Sequence, residues 1–237
     1  MKDIISAGLT QLGLADRVAD NAAHALAEYG RLLLEKNQVM NLTAIREEDK
    51  VARLHMLDCA ALLTGFSFEG KTLIDVGTGA GFPGLPLKIL CPSLTVTLLD
   101  SLGKRVAWLN EVAQTLGLEG VCAIHARAEE QALAKGFRDS FDFATARAVA
   151  DLRLLCELCL PYVRVGGCFL AMKSVECDGE LESAAHCIKL LGGRVENCLD
   201  YTIPGTDIVH RVVVIRKVAP TLKGYPRKWA KLQKDPL

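Results

Sequence analysis

Apolar positions recur at three- and four-residue steps through Val18, Ala22, Ala25, Leu26, Tyr29, Leu32, Leu33 and Val39. That spacing lines one face of an α-helix. A second stretch, from Glu47 to Leu63, also lacks strand-like alternation, so residues 1 to about 70 read as helical, closed by a linker at 66–70. From Lys71 the pattern changes to short apolar runs alternating with helical segments. Strands are expected at Thr72–Val76, Leu94–Leu99, Val121–His125, Phe141–Ala146 and Val165–Met172. Helices are expected at Leu85–Leu90, Lys104–Leu116, around Glu129–Ala134, from about Asp151 to Leu160, and at Gly179–Leu191. Gly117, Pro161 and Gly192 stop three of these helices. Arg194–Ile203 and Ile208–Val218 have no helix between them and should pair as a hairpin. Strand–helix alternation implies a parallel sheet with right-handed crossovers, and the hairpin adds an antiparallel strand.

Composition narrows the class. Of 237 residues, 50% are hydrophobic and 24% charged, which is globular and excludes wholesale disorder. No run reaches the roughly 18 apolar residues of a membrane span. The opening Met1-Lys2-Asp3-Ile4 carries no signal-like apolar region, so a cytoplasmic protein without a membrane partner is expected. Nine cysteines, an odd and scattered set, fit reduced thiols better than a disulfide framework. Cys156 and Cys159 form C-x-x-C without a second pair or histidine set, and no metal site is expected. His24, His125, His186 and His210 likewise have no partner spacing that suggests a metal or a triad. Lys+Arg 28 balance Asp+Glu 28, but the charge is uneven. Arg211, Arg216, Lys217, Lys223, Arg227, Lys228, Lys231 and Lys234 face only Asp235 in the last part of the chain, a basic footprint.

The strongest local signal is Asp75-Val76-Gly77-Thr78-Gly79-Ala80-Gly81-Phe82-Pro83-Gly84. It lies between the first strand and its helix, where a parallel sheet opens its ligand crevice. Gly79 to Gly84 satisfies the dinucleotide spacing G-x-G-x-x-G. Asp75 to Gly81 satisfies the acidic-x-G-x-G-x-G form typical of S-adenosylmethionine (AdoMet) methyltransferases. Asp100 ends the second strand, where an acid accepts hydrogen bonds from ribose in either case. The loop alone does not separate the two readings. An acid before the first glycine and a terminal hairpin favour the methyltransferase over an NAD(P)-dependent oxidoreductase.

Further segments sharpen this. Asn41-Leu42-Thr43-Ala44-Ile45, His55-Met56-Leu57-Asp58, the glycine loop with Pro86, Leu99 through Arg105, Ala146-Arg147-Ala148-Val149-Ala150 and Tyr225 through Lys231 together resemble bacterial ribosomal RNA small-subunit methyltransferase G, over nearly the whole chain. The sequence departs from that family's pattern at Leu54, where a basic residue is common, and at Cys59, where serine is. The resemblance implies a class I AdoMet-dependent fold: an α/β seven-stranded, mostly parallel sheet with a terminal antiparallel hairpin. It would occupy residues 71–220, after a helical extension (1–70) and before a basic tail (221–237). It also implies methyl transfer to N7 of a guanine in 16S rRNA, with free rRNA or the small ribosomal subunit as partner and the protein acting as a monomer. A non-catalytic RNA-binding module is the remaining alternative, opposed by the intact loop acids and glycines.

N7 carries a lone pair and no proton, so no general base is expected, and proximity and orientation should supply most of the acceleration. Family precedent carries the cofactor site to Gly77, Phe82, Ala128, Glu129 and Arg147. Gly77, Gly79 and Gly81 should admit the methionine moiety, Asp75 should orient its amino group or the loop, and Asp100 should bind ribose. Arg147 is the expected positioning residue, for the cofactor carboxylate, guanine O6 or an RNA phosphate. Lys173 is either an RNA contact or a solvated strand end. His55 and Asp58, three apart on one helical face, either form a lid at the active site that contacts RNA or a structural bond to the core. Asn41 and Thr43 read as a helix cap and turn. Arg227, Lys228 and Trp229 either contact RNA, by charge and stacking, or pack the tail on its own domain.

Overall fold

The computed structural model describes residues 1–147 and 150–237. Ala148 and Val149, two residues of the segment around Arg147, lie outside the described residues. Seven strands form one sheet: β1 (Thr72–Val76), β2 (Thr95–Asp100), β3 (Val121–His125), β4 (Phe141–Arg147), β5 (Val163–Ser174), β6 (Gly193–Thr202) and β7 (Val209–Lys217). Their order is β3-β2-β1-β4-β5-β7-β6. The first five run parallel, while β7 is antiparallel to both β5 and β6, the expected hairpin. The chain leaves β1 toward β3 and then returns to β4 on its other side. The crevice over the carboxyl ends of β1 and β4 is therefore a topological switch point, where open α/β sheets bind ligands.

Both faces of the sheet are covered, because strand residues alternate. Leu73 and Leu98 join one core, Ile74, Val76 and Leu99 the other, and all are at most 1% exposed. Each such side chain contributes about 1.5–3 kcal/mol by leaving water. The first face is packed by α1 (Lys2–Gln11), α2 (Ala22–Asn37), a helical segment α3 (residues 48–65), α4 (Gly84–Leu90) and α5 (Gly103–Thr115). The second is packed by α7 (Leu152–Cys159), α8 (Asp178–Leu190) and α9 (Trp229–Lys234), with the short α6 (Ala128–Gln131) at its edge. In α2 the buried Ala22, Leu26, Tyr29, Leu33 and Asn37 fall at the spacing read from sequence.

Two features were not legible locally. Residues Ala52–Leu57 of α3 form a π-helical stretch, a geometry that often marks functional positions. And β5 extends beyond Val165–Met172 at both ends, because β4 and β7 supply hydrogen-bonding partners on either side.

Candidate functional site

Asp75 ends fully buried under the glycine loop. Its Oδ2 accepts from Thr78 Oγ1 (2.7 Å) and from the Gly84 amide (2.9 Å), tying the start of the loop to the start of α4. Of the two roles read for Asp75, this is the loop-holding one. Its Oδ1 has no partner among the described residues. Burial pushes the carboxyl up to about 6, against the pull of those two bonds. An orphaned acceptor of this kind suits an ammonium or a water. Gly79, at φ 59°, makes the turn only a residue without Cβ makes cheaply, and its amide reaches Asp100 Oδ2 at 2.9 Å. Asp100 also accepts from the Leu102 amide (2.8 Å).

A cleft of about 490 Å³ opens at this loop, lined by Leu42, Thr43, His55, Gly77, Thr78, Gly79, Ala80, Phe82, Asp100 and Arg147 among others. That size suits a small ligand. Beyond Gly77, Asp100 and Ser101 lies a second hollow of about 140 Å³, whose wall includes Ala128, Glu129 and Trp229. The two share Gly77, Asp100 and Ser101, so an elongated ligand can lie across the carboxyl edge with a carboxylate at its middle. Gly77, Gly79, Phe82, Asp100, Ala128, Glu129 and Arg147 are thus brought together. Gly81 is not. A Cβ there would sit 2.6 Å from Tyr29 Oη and 2.8 Å from Leu85 Cδ1, so this glycine is required by packing of α2 on the back of the loop. Tyr29 Oη donates to the Ala80 carbonyl from the same side.

Arg147, at the end of β4, is held by the N-terminal extension. Its Nη1 donates to Asp58 Oδ2 (3.0 Å) and the Leu54 carbonyl (3.1 Å), and its Nη2 lies 2.9 Å from His55 Nδ1. A guanidinium only donates, so His55 Nδ1 accepts and the imidazole proton sits on Nε2, facing Thr43 Oγ1 at 2.9 Å. Burial and the charge of Arg147 push His55 down to about 4, which keeps it neutral. The ring stacks on Phe82 (centroids 4.5 Å apart), and Arg147 Cζ lies 4.9 Å from the same ring. Asp58 Oδ1 accepts from Tyr201 Oη and His210 Nδ1, each at 2.8 Å. Burial raises the Asp58 carboxyl, but the His210 bond and the Arg147 charge outweigh it and hold it below the usual carboxylate range. The bond to Asp58 raises His210 in turn, against its desolvation.

His55 and Asp58 therefore hold Arg147 in place. Of its five N–H groups, three are engaged among the described residues. The other two have no partner among the described residues.

Sequence reasoning missed Tyr201, His210 and part of what Thr43 does: its Oγ1 makes the expected turn by accepting from the Ile45 amide at 3.1 Å, and it also pins His55. Asn37 holds the Thr43 loop by accepting from the Leu42 and Thr43 amides. Tyr201 and His210 stand opposite each other in the terminal hairpin, and that register was the available signal.

Several basic residues read as RNA contacts are committed inside the protein. Arg227 makes a two-pronged pair with Glu157, which is 1% exposed. Lys173 pairs with Glu180 at 2.7 Å, so it is neither a solvated strand end nor an unpaired phosphate contact. Arg211 pairs with Asp200 and Asp178, Arg216 with Glu196, Lys217 with Asp139 and Lys231 with Asp235. Among the described residues Lys223, Lys228 and Lys234 have no acidic partner, so the basic footprint of the tail shrinks to these three. Trp229 is turned into the wall of the smaller hollow. All nine cysteines are free thiols, Cys156 and Cys159 being buried in α7.

A seven-stranded sheet with an antiparallel β7, an acid-led glycine loop and a second acid at the end of β2 define an AdoMet-dependent methyltransferase. Solved structures agree on the fold: TYW2 of M. jannaschii, in complex with AdoMet, superposes with a TM-score of 0.50 at 16% identity, covering 63% of this chain and 69% of that one. The family model for rRNA small subunit methyltransferase G (GidB) matches residues 22–205. The ribosomal RNA small subunit methyltransferase G of Alkaliphilus metalliredigens is 45% identical over 237 residues, covering 100% of this chain and 98% of that protein. The one from Lachnoclostridium phytofermentans is 46% identical over 234 residues, covering 97% and 95%. The chain belongs to the rRNA small subunit methyltransferase G family. The dinucleotide reading of Gly79 to Gly84 is thereby set aside.

Proposed function

We propose that this protein transfers a methyl group from AdoMet to N7 of a guanine in 16S rRNA, free or within the small ribosomal subunit, in the bacterial cytoplasm. AdoMet supplies the methyl group on a sulfonium sulfur. Asp100, placed where the two hollows meet, receives the ribose hydroxyls; Ala128, Glu129 and Trp229 surround adenine. The two uncommitted N–H groups of Arg147 receive the methionine carboxylate, and Phe82 walls the pocket and excludes water.

One observation carries the acceptor chemistry. His55 and Arg147 also line a second cleft of about 360 Å³, reaching to Lys173 and His210. At that shared wall the titratable groups are spent on one another. His55 is neutral with both ring nitrogens engaged, and Asp58 is charged but occupied by three donors. Neither His55 nor Asp58, the titratable pair of this wall, is poised to remove a proton, which suits an acceptor nitrogen that has none. What the residues provide is alignment, worth about 7–11 kcal/mol when both reactants are held in line.

The test is tritiated-methyl transfer to 16S rRNA from cells lacking the protein, followed by nucleoside analysis. 7-Methylguanosine is expected, and a label found in any other nucleoside overturns the reading. Asp100→Asn should weaken AdoMet binding about tenfold or more, by removing a charge-assisted acceptor. Unchanged affinity would remove Asp100 from the ribose site.

A further inference from the structure

The second cleft has a wall that the reading above leaves unused. Lys173 Nζ pairs with Glu180 Oε2 at 2.7 Å and donates to the Ala150 carbonyl at 3.1 Å. Glu180 Oε2 also accepts from the Leu152 amide at 2.9 Å. The carboxylate is thus held from the strand side and from the start of α7. Its Oε1 receives no donor among the described residues. The Lys173 ammonium has three N–H groups, and the Ala150 carbonyl takes one of them. The pair stays accessible, its side chains 13% and 33% exposed, on the cleft that His55 and Arg147 also line.

The wall therefore presents a donor immediately beside an acceptor, each with one bond to give. The six-membered ring of guanine presents the complement, O6 as acceptor beside N1–H as donor. Adenine presents the reverse, an N6–H donor beside an N1 acceptor, and would set donor against donor and acceptor against acceptor. With N7 turned toward the wall shared with the cofactor cleft, the Watson–Crick edge turns toward the lysine and the glutamate. An enzyme acting on a base ring takes that base out of its stack into such a pocket.

We propose that this cleft receives the unstacked acceptor base and that the Lys173–Glu180 pair selects guanine there, Lys173 donating to O6 and Glu180 accepting N1–H. The proposal rests on the N7-guanine reading. Glu180, which no sequence motif singled out, becomes a specificity residue, and Lys173 meets a base edge instead of a phosphate.

The experiment uses the full chain and 16S rRNA carrying guanosine, inosine or 2,6-diaminopurine riboside at the accepting position. All three keep N7, and only diaminopurine reverses the O6/N1–H pattern. Wild type should methylate guanosine with kcat/KM about a hundredfold or more above diaminopurine, and should accept inosine nearly as well as guanosine. Glu180→Gln, whose amide offers donor or acceptor by rotation, should narrow the guanosine-to-diaminopurine ratio about tenfold or more. AdoMet affinity, read separately, should stay at the wild-type value. A wild-type ratio near one, or a Gln variant that slows both substrates equally and leaves the ratio intact, overturns the proposal while the N7-guanine function stands. If wild type transfers no methyl to the guanosine RNA, the N7-guanine function falls and this proposal falls with it.

Discussion

Asp58→Asn isolates the interaction on which the site's geometry depends. Asp58 is 1% exposed and serves three donors, Arg147 Nη1 on one oxygen and Tyr201 Oη with His210 Nδ1 on the other. Asparagine keeps the shape but removes the charge, and in either flip its amide nitrogen faces at least one of those donors. Breaking a buried ion pair by removing one partner costs about 3–5 kcal/mol. Arg147 keeps its bonds to Leu54 and His55 and a side chain 16% exposed, so the low end applies, and we expect a loss of about 3 kcal/mol. Guanidinium unfolding followed by far-UV circular dichroism measures it, and AdoMet titration should weaken in parallel as Arg147 loosens. The double variant Asp58→Leu, Arg147→Met should cost less than the sum of its parts, since it leaves no uncompensated charge. A loss below about 1 kcal/mol, the worth of an exposed pair, would refute the reasoning.

Two further expectations follow from the same network and from the tail. His55, pushed down to about 4, refuses a proton that the unfolded chain accepts near 6.5, so its contribution to stability is lost as pH falls between those values. His210, raised by Asp58, behaves oppositely, its contribution being present at low pH and lost as pH rises through the raised value. A histidine NMR titration that finds both near 6.5 would contradict this. In the tail, Arg227→Ala should destabilise the fold by about 3 kcal/mol, by stranding the buried Glu157, without altering the salt dependence of RNA binding. Lys228→Ala should spare stability and lower the salt slope by about one. The reverse pattern would make Arg227 the RNA contact.

The sheet was legible because its signals are local. Short apolar runs ending at glycines, helical spacing between them and a helix-free gap before the last two strands each occupy a few consecutive residues. The cofactor loop was legible for the same reason. Asp75, three glycines and the start of α4 are contiguous, and Asp100 follows one strand–helix unit later. Even so, spacing could not distinguish the two sides of the loop. Gly79 forms the turn at the cleft, whereas Gly81 turns its back to it and makes room for Tyr29.

What tertiary structure alone decided is which charges are spent. Read along the chain, Arg227 belongs to a basic tail, Lys173 to a strand end and His210 to nothing. The partners of Arg227, Arg147 and His210 stand far off in sequence: Glu157 lies 70 residues from Arg227, and Asp58 lies 89 from Arg147 and 152 from His210. A charge's function depends on whether an opposite charge neutralises it at about 3 Å, and that distance is set by how α3, β4 and the terminal hairpin pack. The sequence by itself determined the class of fold, the cofactor loop and the residue types at the sheet's carboxyl edge. Packing determined that His55 and Asp58 hold Arg147, and that five of the eight cations from Arg211 onward pair with acids of the same chain.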